Sequence, residues 1–158
     1  MKFFTADLCD THGEKIQVLQ DKLKAYGGEN TCFGPITTIK LDEDNGGLIE
    51  LLKTDGKGRV AVVDAGGEYC AIVGDTLMGF AAQHNWSAII VNGYVRDVVN
   101  TVHIRVGLWA LGTCPMKSQK KSPSQSQIEV NFLGVNFKEG AYLYADSDGI
   151  VVSDENLL

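Results

Sequence analysis

The stretch from Arg59 to Gly93, RVAVVDAGGEYCAIVGDTLMGFAAQHNWSAIIVNG, decides the fold. It opens with a continuous apolar run, Val60-Ala61-Val62-Val63, closed by Asp64 and Ala65-Gly66-Gly67. A run of this kind suits a strand covered on both faces, since a half-exposed strand alternates apolar and polar side chains. Asp75 to Asn85 then places Leu77, Met78, Ala81 and Ala82 at i, i+1, i+4 and i+5. That spacing predicts an amphipathic helix with an acid at its start. Ser87 to Val91 is a second apolar run, closed by Asn92-Gly93. Strand, helix, strand predicts two parallel strands joined by a right-handed crossover.

Upstream, Thr31 to Lys40 (TCFGPITTIK) reads as a strand with a Gly-Pro break inside it, and Leu48 to Lys53 as a short helix. Residues 5 to 26 read as helical, with Leu8, His12 and Ile16 at helical spacing, Thr5 or Asp7 as cap, and Gly27-Gly28 as the stop. Downstream, Val106 to Gly112 reads as a buried strand or a short helix. Ser118 to Gln127 is a polar surface loop, on which Lys120 and Lys121, with Lys117 before them, read as solvated charges. From Ile128 the apolar residues alternate, and Ala141 to Ala145 and Ile150 to Ser153 flank Asp146-Ser147-Asp148-Gly149, a hairpin signal. The class is mixed α/β, with a parallel β-α-β core unit and an antiparallel C-terminal tail.

The chain has 158 residues, 44% of them apolar, which fits one domain over 1–158 with a core large enough to need no staple. Acids outnumber bases by 20 to 14, a balance that argues against binding nucleic acid directly. No apolar stretch approaches the roughly 20 residues that cross a bilayer, and Asp7 interrupts the N-terminus before a signal-peptide core forms. The expectation is a cytoplasmic protein without membrane contact. Cys9, Cys32, Cys70 and Cys114 show no C-x-x-C spacing and read as buried or half-buried free thiols. His12, His84 and His103 share no spacing with one another or with acids, and read as structural or surface residues.

Ligands of open α/β sheets bind beyond the carboxyl ends of the parallel strands. Two segments are expected there: Gly74-Asp75-Thr76-Leu77 at the helix start, and the loop holding Arg96-Asp97. A helix start offers unpaired N–H groups to an anion, and an Arg can hold a carboxylate through two parallel hydrogen bonds. An Asp can hold magnesium or manganese directly or through water. The same residues also read as a plain helix cap and a structural Arg–Asp pair. Asp64-Ala65-Gly66-Gly67 is a tight turn that could face the same place.

Taken together, these residues resemble the regulator of ribonuclease activity A family, which includes the 4-hydroxy-4-methyl-2-oxoglutarate aldolases. The resemblance runs nearly end to end: Thr5-Ala6-Asp7-Leu8-Cys9-Asp10, Tyr26-Gly27-Gly28, Phe33-Gly34-Pro35, Glu43-Asp44-Asn45, Gly58-Arg59-Val60 and Tyr144-Ala145-Asp146. Its most specific part is Gly74-Asp75, then 20 residues, then Arg96-Asp97, the D-x20-R-D pattern of the family's lyases. The resemblance implies a compact β/β/α sandwich of the swivelling-domain type. It also implies trimers, sometimes stacked as hexamers, with the site in a cleft between neighbours. It implies Gly74, Asp75, Thr76, Leu77 and Arg96 as substrate contacts, Asp97 as the metal residue, and Arg96, Asp97 and Asp75 as the catalytic set. The implied activity is a metal-dependent aldolase of the class II type. It would cleave 4-hydroxy-4-methyl-2-oxoglutarate to pyruvate and decarboxylate oxaloacetate as a side activity. The base would be a metal-linked water or Asp75. The alternative function within the family is a non-catalytic regulator that binds and inhibits ribonuclease E. One departure stands out. Lyase members commonly carry another carboxylate after the Arg-Asp pair, whereas here Val98, Val99 and Asn100 follow, Arg105 stands where an acid is often found, and the next acid is Glu129.

Overall fold

The computed structural model describes residues 2–20, 23–119 and 123–158. Its helices are α1 (Thr5–His12), α2 (Gly46–Leu52), α3 (Asp75–Gln83) and the one-turn α4 (Val98–Thr101). Its strands are β1 (Gln17–Val18), β2 (Lys24–Ala25), β3 (Cys32–Lys40), β4 (Val60–Asp64), β5 (Ala71–Val73), β6 (Ala88–Val95), β7 (Gly107–Thr113), β8 (Gln125–Ser126), β9 (Val130–Phe132), β10 (Val135–Phe137), β11 (Tyr142–Ala145) and β12 (Ile150–Ser153). The main sheet runs β1-β12-β11-β3-β4-β6-β7-β2, with β5 beside the end of β6 and β8 beside the end of β3.

The apolar run of β4 explains the layering. Ala61 and Val63 join one core with Leu48 and Leu52 of α2 and Leu77, Met78 and Ala81 of α3. Val60 and Val62 join the other, with Ile36, Ile90, Phe137 and Leu143. Successive side chains of a strand leave opposite faces, so a central strand covered by helices on one side and by the β9–β10 hairpin on the other has no polar position to offer. The β-α-β reading is correct in its connection: β4 and β6 pair in parallel, Val60 opposite Ala88. β7 continues the parallel order beside β6, which settles the Val106 to Gly112 segment as strand.

The Gly-Pro break in β3 is where the strand changes partner. Cys32–Pro35 pairs antiparallel with β11, and Ile36–Lys40 pairs parallel with β4. A β-carbon on Gly34 would stand 2.3 Å from the carbonyl oxygen of Gly58, so only glycine passes there. β11 and β12 form the expected antiparallel pair around Asp146–Gly149.

Three expectations change. The N-terminal helix ends at His12, because residues 17–18 pair with β12 and 24–25 pair with β7. Its start is capped by neither Thr5 nor Asp7: Asp146, across the chain, accepts the Thr5 N–H and the Thr5 hydroxyl, each at 2.7 Å. The second core strand does not stop at Asn92-Gly93 but runs on to Val95 through an irregularity after Val91.

Cys32 and Cys114 are buried free thiols, Cys9 is a half-buried one, and Cys70 is buried. Burial pushes the Cys32 thiol well above its ordinary range. Lys120 and Lys121 lie outside the described residues. Among the described residues, no helix is long and apolar enough to cross a membrane.

Candidate active site

The continuation of β6 builds the site. Beyond Asn92 the strand leaves β4 and pairs with β5, Val73 beside Val95. The Arg96 N–H then donates to the Val73 carbonyl at 2.9 Å. This brings the last residue of β5, Gly74 and the head of α3 directly against Arg96-Asp97.

Asp97 adopts the left-handed conformation, φ 59°, which Asp tolerates better than most residues. The turn reverses the chain into α4, where the Asn100 and Thr101 N–H groups donate to the Asp97 carbonyl at 2.8 and 3.0 Å. It also aims the carboxylate at α3: Asp97 Oδ2 accepts the Asp75 N–H at 3.3 Å. Gly74, not Asp75, is the cap residue of α3, and it has no side chain with which to cap. Asp97 does so from another element. Asp75 occupies the first helical position, and its Oδ2 accepts from the Asn100 amide at 2.9 Å.

Arg96 lies at the rim. Its side chain is 41% exposed, its Nε stands 4.0 Å from Asp97 Oδ2, and one terminal nitrogen donates to the Pro115 carbonyl at 3.5 Å. An ion pair that open and that long contributes little to stability, and the guanidinium stays free to meet an anion. Thr76 is exposed, whereas Leu77 packs into the helix-side core. Leu77 can therefore offer a ligand only its backbone. The first intrahelical bond of α3 is from Met78 N–H to the Gly74 carbonyl, so the first-turn N–H groups lie ahead of the ladder.

The remaining candidates go elsewhere. Asp64 Oδ1 accepts from Asn92 at 2.9 Å and from the Gly66 N–H at 3.0 Å, which ties the carboxylate to the strand end. Glu129 is held by the Asn136 amide in the β9–β10 hairpin. Arg105 pairs with Glu29 at 3.6 Å. Sequence reading missed the wall formed by the segment after β7, where the Pro115 carbonyl accepts from Arg96. Ala71 N–H donates to the Met116 carbonyl, which sets the segment after β7 beside β5. Tyr69 and Tyr94 stack edge-on at 4.9 Å nearby. The one signal for this wall was Pro115 at the close of a strand.

The RraA-like model, described as Aldolase/RraA, matches residues 5–152. The chain belongs to this family. A Pseudomonas syringae pv. tomato relative named as a candidate 4-hydroxy-4-methyl-2-oxoglutarate aldolase is 41% identical over 99% of this chain and 98% of its own. A Geobacillus kaustophilus structure described as an S-adenosylmethionine:2-dimethylmenaquinone methyltransferase is 38% identical, with a TM-score of 0.95 over 98% of this chain and 97% of that one. A Thermus thermophilis structure described as the RNA-processing inhibitor RraA is 32% identical, with a TM-score of 0.95 over 100% of this chain and 96% of that one. Proteins similar to this chain thus carry three different descriptions, and the choice among them rests on the site.

Proposed function

We propose that this RraA-like chain is a lyase that cleaves 4-hydroxy-4-methyl-2-oxoglutarate to two pyruvates and decarboxylates oxaloacetate. The observation that carries this reading is the meeting of Arg96, Asp97 and Asp75 at the head of α3, where Asp97 Oδ2 and the Asp75 N–H are 3.3 Å apart. A loosely tethered, partly exposed guanidinium and first-turn N–H groups suit the carboxylate and oxo groups of a 2-oxo acid.

Among the described residues, no three His, Cys, Asp or Glu side chains cluster as a metal set. Magnesium does not need such a set, since it commonly keeps several waters and takes one or two carboxylates. Asp97, 39% exposed and beside Asp75, fits that kind of site. Asp97 would hold the cation, with water completing its shell. When bound, magnesium or manganese supplies positive charge to the developing enolate oxygen.

The rest of the chemistry belongs to the chain. Arg96 grips the carboxylate next to the 2-oxo group and fixes the carbon skeleton. Asp75 takes the proton from the 4-hydroxyl. The C3–C4 bond breaks, C4 becomes the carbonyl of one pyruvate, and the electron pair stays on C3 as the enolate of the other. Water returns a proton to C3. The test is pyruvate release from each substrate with and without added magnesium. Release that withstands a chelator, or that is untouched by Arg96→Ala, rejects this site.

Assembly belongs to the same reading. Val99, Tyr69 and Met116 lie on the elements that frame the site and are 79%, 67% and 65% exposed. Large exposed apolar side chains around a site support burial between copies, in keeping with the trimer that the resemblance implies. Sedimentation at one chain's mass would contradict it. The second reading, a regulator that binds ribonuclease E, is supported by the near-superposition on the Thermus protein. Calorimetry against that ribonuclease tests it, and no heat at micromolar concentration counts against it.

A further inference from the structure

We propose that Asn100 is a positioning residue that holds the Asp75 carboxylate where it accepts the substrate's hydroxyl proton. The inference rests on the lyase reading above. Asn100 Nδ2 donates to Asp75 Oδ2 at 2.9 Å, a bond that ties α4 to α3. Three residues earlier on the same turn, Asp97 accepts the Asp75 N–H. One residue of α3 is thus held twice by α4, through its backbone and through its side chain.

The turn that carries Asn100 is itself anchored. Thr101 is fully buried and its hydroxyl donates to the Tyr26 carbonyl at 2.7 Å. Val98 packs against the helix-side core. The short Asn100 side chain, itself exposed, therefore reaches Asp75 from a fixed point. An amide suits the task because it donates without carrying charge. A carboxylate there would repel Asp75, and a cation would compete with Arg96 for the substrate. With Oδ2 engaged by Asn100, the Oδ1 lone pairs of Asp75 receive the proton.

Two reactions separate this role from a general structural one. In aldol cleavage the O–H bond at C4 breaks, its proton passes to Asp75, the C4 carbonyl forms and the C3–C4 pair moves to C3. In oxaloacetate decarboxylation the C3–C4 bond breaks with loss of carbon dioxide and leaves the same enolate, with no hydroxyl proton to remove. A residue that serves the base affects the first reaction and spares the second.

The experiment compares both reactions in the full chain, with magnesium, for wild type, Asn100→Ala, Asn100→Leu and Asp75→Asn. Asp75→Asn lowers kcat for cleavage by about 100-fold or more, the usual size of a lost base. Asn100→Ala lowers it by about tenfold with KM within about twofold, as expected when a group is misplaced and not removed. Decarboxylation changes by less than about twofold in Asn100→Ala. Where Asn100→Ala does not fold, the near-isosteric and uncharged Asn100→Leu gives the same selective loss, because it has no amide to donate. Equal losses in both reactions, or no loss in either, overturn the proposal and leave the lyase reading standing. Wild-type protein that decarboxylates without cleaving also overturns it. Wild-type protein inactive in both reactions removes the lyase reading and this inference with it.

Discussion

Asp97 Oδ2 lies 3.3 Å from the backbone nitrogen of Asp75, and the space it uses is the space a side chain on Gly74 would fill. A β-carbon there would stand 2.5 Å from that oxygen. Gly74 has φ −133°, an extended conformation that any residue adopts. Gly74→Ala therefore leaves the backbone unstrained and displaces the carboxylate. The expected result is a folded protein with cleavage reduced by about 100-fold, the cost of shifting a reacting group by an ångström. Pyruvate release and a urea melt on the same preparation check it. A variant with wild-type turnover would mean that Asp97 need not sit at the helix head.

Arg96 offers its guanidinium at the rim, tied only loosely to Asp97 and to the Pro115 carbonyl. Replacing it removes substrate contact at little structural cost. Arg96→Ala should raise KM for oxaloacetate and lower kcat/KM by about 100-fold, the worth of a charge-assisted paired hydrogen bond. Arg96→Lys should recover only a small part, because an ammonium cannot match both carboxylate oxygens. Steady-state kinetics decide this, and full rescue by Lys would show a simple point charge at work.

How much of this could be read from the residues varies with the range of the interaction. β4 and α3 were legible because their patterns depend on burial alone: Val60 to Val63 form a short, β-branched apolar run closed by turn residues, which suits a covered strand, and Leu77, Met78 and Ala81 mark one helix face. The Gly-Pro break in β3 was visible, yet its meaning needed two partners, β4 from mid-chain and β11 from near the C-terminus. The short strands β1 and β2 were missed since two-residue pairings leave no periodicity. At the site, the Gly74-Asp75 and Arg96-Asp97 pairs could be named from spacing. The cap relationship could not, because Asp97 reaches α3 only through its left-handed turn. Asn100 was visible as a departure, and its partner was not, since nothing in the sequence says that α4 faces Asp75.

The helix that supports the site has an asymmetric tolerance. Met78 is fully buried between α3 and the sheet, while Thr76, two residues earlier, is exposed. Met78→Ala should destabilise the chain by about 2–5 kcal/mol, because the cavity lies in a core closed by β4 and β6. Thr76→Ala should stay within about 0.5 kcal/mol of wild type. Urea midpoints at constant slope test both. A small effect at Met78 would mean that α3 collapses onto the sheet and fills the space.

Asp146 gives the fold an acid-sensitive clasp. Burial raises its carboxyl pKa, but hydrogen bonds from the Thr5 N–H and hydroxyl and from the Asp148 and Gly149 N–H groups together outweigh burial, so the value falls below the ordinary range. A carboxyl depressed in the folded state contributes stability above its unfolded value of about 3.9 and loses it as pH falls through the folded value. Asp146→Asn should therefore be about 1–2 kcal/mol less stable than wild type at neutral pH, the scale of a lost helix cap. The gap should narrow as the pH drops below about 4, where the wild-type carboxyl also loses its charge. Paired urea melts across that window check the sign. A gap of constant size at all pH values would place the effect in the neutral hydrogen bonds of Thr5 and not in the ionised carboxylate.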